Sequence, residues 1–416
     1  MKDMRFENVM TKCGAPLYIF RMPHVESVAV GVLVFAGTRD EVWPKEAGIA
    51  HALEHMVFQG NERLTDSRAV AAEIEAVGGV LNAWTSKEMT FYFRVVPSDS
   101  LNVATQSLGS QLNTSLFQPE KITPEMQNIV HEIRHTHDSP ESWCLDVFEN
   151  VAYGKHPLGK STLGTEEAVT SFKNSDFRAF MDRLYCPTNY ALVVVGNTTR
   201  TKAEHAFNSM FQPDSRSCKK RSVAPLENTK GAREIFERDI KQAHVCLGTT
   251  IGGAREPDTK ALEFYKAMIG GGMSFPLFQE VRDKRGLCYS VNADVAPWSD
   301  YGLFQVYVGT NPARMHEALS CIQDVVKNSY KNKKLFAQAK TLLLGRTALS
   351  FSSPIGVLQQ AAQDIVFLGG PRSPAEIREE IEAQTPEGVA RAVEKHLLNP
   401  DEYSYDYVVP KGTKVQ

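Results

Sequence analysis

No Cys-x-x-Cys pair occurs in this 416-residue chain. Its seven cysteines, Cys13, Cys144, Cys186, Cys218, Cys246, Cys288 and Cys321, are scattered and odd in number. That pattern excludes a disulfide framework and predicts free thiols in a reducing compartment. A basic excess is also missing: 46 Lys and Arg face 49 Asp and Glu, a formal charge of −3. This argues against a dedicated nucleic-acid binder, although it leaves room for a local basic patch. Long hydrophobic runs are absent too. The apolar stretches VAVGVLVFAG (28–37) and YALVVVG (190–196) are of strand length and too short to span a bilayer. The start, MKDMRFENVM, has no apolar core of the kind a secretory signal needs. The expectation is a soluble cytoplasmic protein with neither nucleic-acid nor membrane partner.

What is present is ample apolar material, 42% of residues, and a length that allows two or three domains. β-branched runs alternate with amphipathic stretches of helical length, which predicts an α+β architecture. SVAVGVLVFAG reads as a buried strand and EAGIAHALEHMVF as the helix after it. Residues 81–96 read as a hairpin or long strand pair, 119–137 as a helix and 191–197 as a strand. Residues 215–232 are basic, polar and broken by Pro and Gly, and read as a linker. Beyond it the pattern restarts. VGVLVFAGTRDE (30–41) aligns with CLGTTIGGAREP (246–257) at an offset of 216, close to half the chain. A duplicated domain follows, with a first copy over 1–214 and a second over 233–416. At that offset His51, Glu54 and His55 fall on Ala267, Gly270 and Gly271, so only the first copy keeps the histidines.

HALEH, residues 51–55, carries the chemistry. On a helix, His51, Glu54 and His55 share an arc of roughly 100°. Two imidazoles four residues apart can reach one ion, and zinc suits neutral imidazole. The bland alternative is a solvated helix face. The surrounding Ala, Ile, Leu and Met predict a largely buried helix instead, where polar groups need partners. A catalytic zinc also needs a third protein ligand and an open position. Glu132, with 76 residues between it and His55, is one candidate, and Glu125, two helical turns earlier, shares roughly its face.

HxxEH followed by that distant Glu resembles the inverted-motif zinc peptidases of the pitrilysin, insulysin and mitochondrial-processing-peptidase family, in its short two-domain bacterial form. GGVLNAWTSKEMTFYF, HPLGKSTLGTEEAV, YCPTNYALVVVGN and GGGMSFPLFQEVRDKRGLCYSV extend the resemblance over nearly the whole chain. It implies two homologous α/β sandwich-like domains forming a clamshell around an inner chamber. It implies one zinc per chain on His51, His55 and Glu132, with Glu54 as general base and Glu125 as an auxiliary acid. Arg282 and Tyr289 match the family's Arg–Tyr pair, which reaches the substrate from the second domain. Asn82 and Ala83 match its peptide-binding strand. The implied activity is that of a zinc metalloendopeptidase cutting peptides or unfolded segments, working as a homodimer. The competing class is a non-catalytic partner subunit of a processing-peptidase-like complex. His131, His135 and His137 are extra histidines near Glu132, expected to be solvated or outside the ligand set.

Overall fold

Six strands form the first sheet of the computed structural model: β1 (Glu7–Met10), β2 (Pro16–Arg21), β3 (Ser27–Val34), β4 (Val80–Thr85), β5 (Thr90–Pro97) and β6 (Tyr190–Gly196). Their order is β1-β2-β6-β3-β5-β4, antiparallel except for β2 beside β6. β3 and β6 are almost wholly buried, as their continuous Val-rich runs require of a sheet's central strands. The structure describes residues 5–212, 216, 218, 221, 224–227 and 229–415. Several positions of the expected 215–232 linker therefore lie outside the described residues.

Five strands form the second sheet: β7 (Arg233–Arg238), β8 (Ala243–Gly252), β9 (Cys288–Pro297), β10 (Tyr301–Thr310) and β11 (Ser404–Pro410), in the order β7-β11-β8-β10-β9. With β1 set aside, the two orders are the same, and the single parallel pair, β7 with β11, is the counterpart of β2 with β6. β8 begins 216 residues after β3, the offset at which the two sequence segments align. Each sheet is packed with helices, so the α+β expectation of two like domains holds.

The compact units do not follow the contiguous segments 1–214 and 233–416. One comprises Met1–Arg134, Ser161–Ser222 and Ala348–Glu376; the other comprises His135–Lys160, Val223–Thr347 and Ile377–Gln416. Packing explains both exchanges. Helix Pro354–Leu368 lies on β3 and β6 of the first sheet, while helix Pro140–Tyr153 lies on β8 and β11 of the second.

The free-thiol expectation needs one correction. Cys186 and Cys218 form a disulfide, while Cys13, Cys144, Cys246, Cys288 and Cys321 are free. The pair is 32 residues apart, and nothing in the local sequence signals that the chain returns to Cys186 at that point. Among the described residues no single helix is long and apolar enough to cross a membrane.

Candidate functional site

Helix α1 (Ile49–Met56) carries HALEH, and its Ile49, Ala50, Ala52, Leu53 and Met56 are buried in the first core. The face left over presents His51, Glu54 and His55, each partly buried. The helix has no side-chain cap of its own. Its first amides bond instead to Glu41, which accepts from Gly48 N at 3.0 Å and Ala50 N at 3.1 Å. Gly48 has φ 89°, and a Cβ there would stand 2.6 Å from Leu163 O, so this approach admits glycine alone.

Three further helices follow: α2 (Ser67–Glu75), α3 (Leu101–Thr114) and α4 (Pro119–Asp138). Ile122, Met126, Ile129, Val130 and Ile133 of α4 are buried. That places Glu125 and Glu132 beside the α1 histidines, and the two acids do different things there. Glu125 Oε1 is 2.8 Å from His55 Nδ1, so this ring nitrogen donates to the carboxylate. Its other oxygen accepts from Gln59 Nε2 at 2.8 Å and Asn128 Nδ2 at 3.3 Å. Glu132 faces the opposite ring nitrogens: its carboxylate lies 3.6 Å from His51 Nε2 and 3.8 Å from His55 Nε2. The two Nε2 atoms are 3.3 Å apart.

These distances fit one small cation. Two imidazole nitrogens at about 2.0–2.1 Å from a tetrahedral zinc stand about 3.3–3.4 Å apart. Burial and the neighbouring His55 push His51 down to about 3, so it is a neutral imidazole with a lone pair to give. Desolvation acts on His55 in the same sense, but the Glu125 hydrogen bond and the charges of Glu132, Glu125 and Glu54 outweigh it and raise its proton affinity. The donor set of two imidazoles and a half-exposed carboxylate is the kind zinc takes in catalytic centres. His131, His135 and His137 are exposed and stand outside this cluster.

Glu54 is held apart from the ligands. Its Oε2 accepts from Thr85 Oγ1 at 2.6 Å. Burial raises its proton affinity, and the Thr85 hydrogen bond and His55 work the other way. The sequence reading gave Thr85 no such role, although alternation along β4 places it on the inward face with Leu81 and Ala83. The turn after Thr85 is pinned by a buried ion pair of Arg39 with Glu88 and by Arg39 N bonding to Lys87 O at 2.9 Å. Arg221 adds a bond to Asp40 Oδ1 at 2.9 Å.

Among the described residues β4 pairs only with β5, at the edge of the sheet. Asn82 is exposed, with Oδ1 accepting from Ala83 N at 2.8 Å; Ala83 points inward. Arg282 and Tyr289 belong to the second unit. The Arg282 guanidinium lies 4.7 Å from the ring centres of both Phe278 and Tyr289, and Tyr289 is 74% exposed. In that unit helix Pro257–Gly270 occupies the place of α1, and Ala267, at the position matching His51, is buried in its core.

Two family models match successive segments of the chain. Residues 19–166 match Insulinase (Peptidase family M16), and 171–343 match the Peptidase M16 inactive domain. A protein of Streptomyces coelicolor named as an uncharacterized zinc protease is 32% identical over 91% of this chain and 84% of its own length. The chain belongs to peptidase family M16. A Bacillus subtilis relative named as the uncharacterized zinc protease YmxG is 30% identical over 96% of this chain and 97% of its own. The fold is that of a protease from Helicobacter pylori, whose crystal structure gives a TM-score of 0.90 at 21% identity, covering 98% of this chain and 100% of that one. A Pseudomonas fluorescens structure titled as a peptidase M16 inactive domain gives 0.87 at 21%, covering 99% of each chain. In this M16 chain His51, His55 and Glu132 all lie within the segment that matches the insulinase model, outside the inactive-domain match.

Proposed function

We propose that this M16 chain is a zinc metalloendopeptidase acting on peptides or unfolded segments. The observation that carries the reading is the convergence of His51, His55 and Glu132 within 3.3–3.8 Å, with Glu54 on the same helix but outside the ligand set. Zinc held by those three residues supplies a Lewis acid for the scissile carbonyl and lowers the pKa of a water toward neutrality. Glu54 takes a proton from the attacking water as its oxygen adds to the carbonyl carbon. The same carboxyl then delivers that proton to the amine nitrogen as the C–N bond breaks. Thr85 aims Glu54 and steadies its charge, so that one oxygen stays free to accept. Glu125 fixes the His55 ring with Nε2 toward Glu132.

The free edge of β4 offers backbone groups to an extended peptide around Asn82 and Ala83, which suits unfolded substrates. Arg282 and Tyr289 are assigned to the substrate carbonyl and the oxyanion, and a homodimer is the working assembly. A non-catalytic partner subunit would have no need of Glu54 poised on a Thr85 donor beside a complete ligand triad. The test is hydrolysis of a disordered protein such as casein, followed by the appearance of new amino groups. Chelated protein should be inactive, one added equivalent of zinc should restore cleavage, and His55→Ala should not recover. Full activity in chelator would overturn the proposal.

A further inference from the structure

A second cluster of soft ligands lies in the other unit, where helix α5 (Pro140–Tyr153) packs on β8 and β11. Cys144 of α5, Cys246 of β8 and Asp406 of β11 are each buried, and their ligand atoms lie within 4.8 Å of one another. Cys246 and Asp406 sit opposite each other in the β8–β11 register. Strand alternation turns both away from the core that holds Val245, Leu247, Tyr405 and Tyr407, toward the face covered by α5. The two sulfurs are 3.5 Å apart, and Cys144 Sγ is 3.6 Å from Asp406 Oδ1.

Asp406 is the anomaly. It is 0% exposed, and its donors among the described residues are the Cys144 thiol and the Cys246 amide, with no Lys, Arg or His. Its Oδ1 accepts from Cys246 N at 3.2 Å, while Oδ2 is buried with no hydrogen-bond partner. A buried carboxylate left this way is costly, and such groups are normally paired or bound to a metal.

We propose that Cys144, Cys246 and Asp406 form a structural site for a thiophilic divalent cation such as zinc, clamping α5 to the sheet of the second unit. Two thiolates at about 2.3 Å from a tetrahedral zinc stand about 3.8 Å apart, and a thiolate and a carboxylate oxygen about 3.5 Å apart. The observed separations match those edges to within a few tenths of an ångström. An ion there gives Asp406 the counter-charge it lacks and takes the place of the thiol protons. The sequence conceals this set, because Cys144 and Cys246 are 102 residues apart and Cys246 and Asp406 are 160.

Cobalt titration of the chelated full-length chain tests it, because the His–His–Glu centre contains no sulfur. In a His51→Ala chain, Co²⁺ should produce a near-ultraviolet thiolate charge-transfer band that saturates at one equivalent, and adding Cys246→Ser should abolish it. No band, or the same band with Cys246→Ser, overturns the proposal. Should the serine variant fail to fold, zinc X-ray absorption on the wild-type chain decides. A zinc–sulfur shell near the ordinary bond length supports the site, and zinc bound only through nitrogen and oxygen refutes it. A Cys144–Cys246 disulfide found by peptide mapping would also refute it.

Discussion

Glu125→Gln separates the job of holding a ligand from the job of being one. In the wild type, His55 Nδ1 donates to Glu125 Oε1 at 2.8 Å, which leaves the Nε2 lone pair facing His51 and Glu132. The second oxygen receives two amide donors, from Gln59 at 2.8 Å and Asn128 at 3.3 Å. A glutamine cannot satisfy both ends. With its carbonyl toward His55, its NH₂ meets the NH₂ groups of Gln59 and Asn128. If it turns over, its NH₂ faces Nδ1 and drives the ring proton to Nε2, where an ion should bind. Loss of such an outer partner typically costs 10–100-fold in metal affinity, about 1.4–2.7 kcal/mol. Zinc affinity measured by competition with a chromophoric chelator should fall by that factor, while kcat at saturating zinc stays within a few-fold of wild type. Unchanged affinity would refute the orienting role. So would unchanged affinity paired with a lost kcat, because Glu125 would then act on substrate.

Four other outcomes follow from the same geometry. Glu54→Gln should retain zinc and melting temperature and lose on the order of 10²–10⁴-fold in kcat, as expected for a missing general base; wild-type turnover would assign the base elsewhere. Thr85→Val removes the donor that favours the ionised form of Glu54, so burial dominates and the acid limb of the kcat/KM profile should move to higher pH; a limb that does not move contradicts the assignment. His51 is held neutral down to about 3, so between the ordinary histidine value near 6.5 and about 3 the unfolded chain binds the extra proton. Chelated protein should therefore lose stability as pH falls through that window, by a few kcal/mol at most, in denaturant titrations, and His51→Gln should flatten the slope. Tyr289→Phe, at an exposed side chain, should leave zinc content and melting unchanged and lower kcat by about 10²–10³ if the hydroxyl serves the oxyanion.

Much of this was legible in the sequence for physical reasons. Helical spacing put His51, Glu54 and His55 on one face, and the apolar residues between them fixed which face was buried. The 216-residue offset matched β3 to β8, and the same strand order recurs around that pair although the spacing of the later strands differs between the copies. What could not be read were contacts between distant segments. Thr85 reaches Glu54 only because the hairpin turn is pinned by Arg39 and Glu88. Cys186 meets Cys218, and helix Pro354–Leu368 joins the first sheet, through chain returns with no local signature. The unit boundaries were displaced for the same reason: packing, not chain order, decides which core a helix serves.

The most direct test of the central claim is mass spectrometry of a mixed peptide library incubated with zinc-loaded wild-type chain and, in parallel, with zinc-loaded Glu54→Gln. The account predicts internal cleavage products from the wild type, none in the presence of chelator, and almost none from the variant although it carries the same zinc. An uncut library with the zinc-loaded wild type, or the same products from Glu54→Gln, would contradict it.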